Sequence, residues 1–159
     1  LPAPLRARLD VVQQTRVEDL DRVRQAYAAA GIHATLETFF RDLPERMANT
    51  HLVIGRAGAS SVAELTVIGR PSILVPLPHA LDNDQLQNAT RLAESGGAWC
   101  IEQKDLTAER LGGEIARLAG APLELQQAAA AAKLQGRPDA VKRLADLVET
   151  MAGTGGLAR

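Results

Sequence analysis

A chain of 159 residues with a net charge of −1 and a single cysteine has room for one domain with a substantial core and no internal disulfide. Apolar residues make up 46 % of it, which excludes a disordered chain, and no basic stripe or arginine cluster marks a nucleic-acid surface. Leu1-Pro2-Ala3-Pro4 does not read as a secretory leader, and no apolar run reaches the length that crosses a bilayer.

In chain order, residues 4–9 read as the end of a helix and 9–13 as a strand. Residues 17–30 follow as an amphipathic helix with Leu20, Val23, Tyr27 and Ala30 on one face and Gly31 as its C-terminal stop. A strand over 34–38 and a short helix over 43–48 lead to a fully buried strand over 51–54 and a helix over 60–68. A strand over 72–75, a helix over 85–95 and a strand over 98–101 complete the alternation. Three helices close the chain: 107–119 with Thr107 as N-cap and Arg110 at N3, then 122–134 and 138–151 with proline in the first turn. Residues 1–152 form one domain and 153–159 a frayed tail. Repeated strand–helix units with right-handed crossovers predict an α/β, Rossmann-like, doubly wound parallel sheet. Such a sheet begins with a strand and a glycine-rich turn; here the chain starts inside the pattern, with a central strand missing.

Three segments carry chemistry. Gly55-Arg56-Ala57-Gly58-Ala59-Ser60-Ser61 runs from a strand into a helix. Glycines allow close backbone approach, and the helix start offers unpaired N–H groups and partial positive charge to a phosphate. The same composition also serves a plain strand-to-helix turn. Glu64, one turn into that helix, suits two hydrogen bonds from a ribose diol, or simple solvation near the helix start. The loop from Pro76 to Ala89 leaves the sheet at the same carboxyl edge and holds Asn83, Asp84, Gln85 and Asn88, side chains that bond sugar hydroxyls. Asp82 or Asn83 serves there as a helix cap. Phe39-Phe40-Arg41-Asp42-Leu43 either flanks a flat base or packs into the core. His33, His51 and His79 lack metal-ligand spacing, so no metal site is expected, and Cys100 reads as core.

Together these segments resemble the C-terminal half of the MurG family, the N-acetylglucosaminyltransferases that complete lipid II in peptidoglycan synthesis. The carriers are Gln13-Gln14-Thr15-Arg16, Ala26-Tyr27-Ala28-Ala29-Ala30-Gly31, Phe39 to Leu43, Arg56 to Glu64, and Val75-Pro76 through Asn88-Ala89. The resemblance implies the donor half of a GT-B type glycosyltransferase, lacking its first strand. It implies UDP-N-acetylglucosamine as a substrate and no cofactor. Glu64 then holds the ribose hydroxyls, the backbone at Ala59, Ser60 and Ser61 faces the pyrophosphate, and the Phe40 backbone meets the uracil. Gln85 bonds the sugar hydroxyls with Asp84 beside it, where many members carry histidine or glutamine. Arg56 offsets charge on the leaving diphosphate. Lipid I and the general base belong to an N-terminal half, so the chain alone is expected to be inactive. The parent protein is expected at the cytoplasmic face of the inner membrane. The alternatives are a non-catalytic UDP-sugar-binding subunit that needs a partner chain, and a fragment of a UDP-N-acetylglucosamine epimerase.

Overall fold

The computed structural model of the chain describes residues 1–78 and 83–154. After a short helix α1 (Ala3–Arg6), strands β1 (Asp10–Gln14) and β2 (His33–Glu37) pair in parallel. Parallel pairing needs a crossover, and α2 (Leu20–Ala30) supplies it. The half-buried residues of α2 include Leu20, Val23, Tyr27 and Ala30, the face that its periodicity predicts, and the Tyr27 hydroxyl donates to Gln13 Oε1 of β1 at 2.6 Å. Gly31 ends the helix in the left-handed region at φ 65°, which a glycine enters without steric cost. Residues 17–19 differ from expectation: they form a 3-10 turn before the α-helix. Arg16 and Arg22 both bond the Asp19 carboxylate, which draws the chain into that tighter entry.

The second sheet contains β3 (Val53–Gly55), β4 (Ser72–Leu74) and β5 (Ala98–Cys100), all parallel and in that spatial order. Helices α3 (Leu43–Ala48), α4 (Ala59–Ile68) and α5 (Asp84–Glu94) stand between successive strands from β2 to β5. Ile73 and Leu74, consecutive on β4 and fully buried, point to opposite faces and seed two cores. Leu74 packs with Ala57, Leu65, Ala89, Leu92, Ala98 and Ala132; Ile73 packs with Ile101 and Leu118. Helix α6 (Ala108–Ala119) contributes Leu118, and α7 (Pro122–Leu134) contributes Ala132. Gly97 permits that second contact, since a Cβ there would lie 2.9 Å from the Ala132 Cα.

Among the described residues, β1 and β3 share no ladder. The division leaves β1-β2 and β3-β4-β5 as separate parallel sheets. Its consequence corrects one expectation. The third strand is not fully buried: Ile54 is 45 % exposed, because β3 pairs only on its β4 side. Val12 in the middle of β1 is similarly open at 43 %. Helix α8 (Ala140–Thr154) starts two residues later than expected and continues three further. It exposes Val141, Leu144, Val148 and Met151, and residues 155–159 of the expected tail lie outside the described residues.

Candidate functional site

The carboxyl ends of β3 and β4 bring the glycine turn and the following loop together. The N–H of Val75 donates to the Gly55 carbonyl at 2.8 Å, which extends the ladder to the last residue before each segment leaves the sheet. Beyond it, Gly58 occupies the N-cap position of α4 in an extended conformation, and no side chain caps this helix. The first N–H of the turn to find a partner in the helix is that of Val62, which donates to the Gly58 carbonyl at 3.0 Å. The N–H groups of Ala59, Ser60 and Ser61 precede it, and all three residues are exposed.

Other helix starts in the chain are finished differently. Helix α2 enters through its 3-10 turn, α3 and α7 carry proline in the first turn, and Thr107 Oγ1 accepts from Arg110 N at the start of α6. At the start of α5 the Gln85 N–H is taken by Asp84 Oδ1 at 2.7 Å. Helix α4 has none of these devices, so its positive end stays open to solvent. Glu64 lies on the same helix, exposed, and makes no hydrogen bond or ion pair among the described residues. A carboxylate without an internal partner keeps its acceptor capacity for a ligand diol.

The sugar loop is described at Pro76 to Pro78 and from Asn83 onward; Asp82, the alternative helix cap, lies outside the described residues. Asn83 is the N-cap residue of α5, in the left-handed region at φ 54°, but its side chain makes no cap bond. Asparagine tolerates that conformation, and the cap function passes to Asp84. Gln85 Oε1 accepts from Leu77 N at 3.0 Å, so the amide NH2 of Gln85 is the group left for a ligand. Asn88 spends its own amide within the protein: Nδ2 donates to the Ala57 carbonyl at 3.1 Å. Arg56 Nη1 donates to the carbonyls of Val75 and Pro76 at 3.2 and 3.3 Å. The Arg56 and Asn88 bridges span 19 to 31 residues of sequence, which no local spacing reveals.

Phe40 is 5 % exposed, with the Arg46 guanidinium 4.7 Å from its ring centre, while Phe39 is 68 % exposed. Arg46 also bonds Asp42 at 2.9 Å and holds that carboxyl below the usual carboxylate range. The Phe40 ring is therefore core, and only its backbone is left to meet a base. No group of three or more His, Cys, Asp or Glu residues among those described is placed to hold a metal ion. Burial and the nearby Glu102 carboxylate push the half-buried Cys100 thiol up, which makes it a poor nucleophile. A cavity of about 660 Å³ lies beside Trp99 and one of about 320 Å³ between α4 and α5; Ala59 and Asn88 line the smaller one, while Glu64, Asp84 and Gln85 line neither.

Residues 3–144 match the glycosyltransferase family 28 C-terminal domain. Among curated relatives, the UDP-N-acetylglucosamine--N-acetylmuramyl-(pentapeptide) pyrophosphoryl-undecaprenol N-acetylglucosamine transferase of Rhodospirillum centenum is 57 % identical over 155 residues, covering 98 % of this chain and 41 % of that protein. The protein of the same name from Methylobacterium nodulans is 58 % identical over 149 residues, covering 93 % and 40 %. The crystal structure of Acinetobacter baumannii MurG superposes with a TM-score of 0.83 at 28 % identity, over 89 % of this chain and 41 % of that one. The glycosyltransferase VinC, solved in complex with DTDP, shares the fold at 22 % identity with a TM-score of 0.63, over 93 % and 37 %. The chain thus spans about two fifths of the length of the relatives it matches.

Proposed function

The chain belongs to the glycosyltransferase family 28 C-terminal domain family, and from that membership we propose that it is the donor-binding part of an inverting N-acetylglucosaminyltransferase. The donor is UDP-N-acetylglucosamine and the acceptor lipid I, with lipid II as the product. The observation that carries this reading is the start of α4: an uncapped helix end with an unpartnered carboxylate, Glu64, on the same helix. A diphosphate needs donors and positive potential, and a ribose diol needs an acceptor; both are present within two turns.

In this reading the N–H groups of Ala59, Ser60 and Ser61 bind the diphosphate and Glu64 accepts from the two ribose hydroxyls. The backbone at Phe40 reads the uracil, fixed there because the ring is anchored in the core. Gln85 donates its free NH2 to a hydroxyl oxygen of the N-acetylglucosamine, and Asp84 accepts from a neighbouring hydroxyl. Arg56 has five guanidinium N–H groups, of which the Val75 and Pro76 carbonyls engage only those on Nη1. The remainder offset the charge that grows on the diphosphate as UDP leaves. The acceptor's 4-hydroxyl attacks the anomeric carbon from the opposite face, which inverts it. The general base and the lipid I site belong to the remaining length of the protein, at the cytoplasmic membrane surface. Binding needs no cofactor in this scheme.

Isothermal titration with UDP, UDP-N-acetylglucosamine and thymidine diphosphate tests the reading. Saturable binding of the two uridine nucleotides, and weaker binding of thymidine diphosphate, is the expected result. Absence of heat with both uridine nucleotides would overturn it.

A further inference from the structure

Three segments at the sheet edge are joined in a closed ring of hydrogen bonds. From the glycine turn, Arg56 reaches the carbonyls of Val75 and Pro76. From that loop, the Leu77 N–H reaches Gln85 at the start of α5. From α5, Asn88 reaches back to the Ala57 carbonyl in the glycine turn. The last bond is the one with no substitute nearby. Ala57 is 0 % exposed, so its carbonyl has no water, and Asn88 Nδ2 is the donor that the structure gives it. A buried carbonyl without a partner is costly, so the peptide would have to rotate toward solvent if that donor were lost. Rotation at Ala57 moves Gly58, the N-cap residue of α4, and with it the N–H groups that follow.

We propose that Asn88 is a positioning residue for the donor's diphosphate, acting through the Ala57 carbonyl to hold the open start of α4 against α5. The inference rests on the diphosphate site proposed above. It gives Asn88 a role beyond any contact of its Oδ1 with the sugar: Nδ2 is bonded to the glycine turn, and that effect reaches the ligand through the backbone. Arg56 and Gln85 close the ring from the other side, so the glycine turn and the sugar loop move as one unit.

The test compares UDP with uridine on the 159-residue chain, because only UDP uses the α4 start. Asn88→Asp keeps the size of the side chain and replaces the donor with an acceptor facing a carbonyl; Asn88→Ala removes both. Each variant is expected to bind UDP about tenfold more weakly, the factor that corresponds to 1.4 kcal/mol, and to bind uridine as the wild type does. A parallel loss of both ligands would overturn the proposal, since it would report a general loss of fold. Unchanged UDP affinity in Asn88→Asp would overturn it too. If Glu64→Ala abolishes UDP binding while Asn88→Asp does not, the donor site stands and the positioning role falls. If the wild type binds neither ligand, both fall together.

Discussion

Helices α4 and α6 each follow a strand of the same sheet, and each begins on an extended N-cap residue, yet they treat their first N–H groups in opposite ways. In α6 the Thr107 hydroxyl accepts from Arg110 N at 3.1 Å, the arrangement expected where a helix start serves only the fold. In α4 the N-cap is Gly58, which has no side chain to offer, and the turn is held by Asn88 from α5 and by its own Arg56 bonded to the next loop. The comparison teaches where stability has been left unused. A hydroxyl at Gly58 would cost nothing sterically, since no atom lies within 4 Å of the position a Cβ would take and φ is −61°. Leaving it out keeps the helix start free for an anion.

The largest expected effect is on the ligand side of this contrast. Glu64→Ala should weaken UDP binding by ~1.5–3 kcal/mol, the range for hydrogen bonds to a charged group, with an unchanged thermal midpoint. Isothermal titration beside a thermal melt reads both, and equal affinity in the variant would break the assignment of Glu64 to the ribose. Next comes the fold side. Thr107→Ala should cost ~1 kcal/mol of stability in urea denaturation and leave UDP affinity alone. A loss of binding there would show that the two helix starts are not independent.

Gly58→Asp should transfer the properties of α6 to α4. The new carboxylate should raise the midpoint slightly, as a charge worth ~0.3–1 kcal/mol at a helix start does, while it repels UDP. Stability and affinity moving in opposite directions is the outcome expected; a rise in both would contradict an anion site. The smallest effect concerns α6 and α7, which are joined by Arg117 Nη1 donating to Glu124 at 2.6 Å. That bond holds the Glu124 carboxyl below its ordinary 4.5. Its contribution is full above the ordinary value and is lost as pH falls through the lower folded one. Acid titration of stability should therefore be slightly shallower in Glu124→Gln than in the wild type, and UDP binding above that range should not distinguish them.

The sequence by itself determined the features that depend on neighbours in the chain. Gly31 as a stop, Thr107 as a cap, the proline start of α7 and the buried face of α2 follow from local backbone sterics and helical period, and they stand where the pattern puts them. The strand–helix alternation, the family and the identity of the candidate residues at the glycine turn were legible for the same reason, since the motif is contiguous. Only the tertiary structure decided which groups those residues have left to offer. Asn88 meets Ala57 across 31 positions, and Arg56 meets Pro76 across 20, so their bonds exist only after β3, β4 and α5 have packed. The exposure of Ile54 was likewise invisible locally, because an apolar run reads alike in a paired strand and at an open edge, and pairing is set by partners far along the chain.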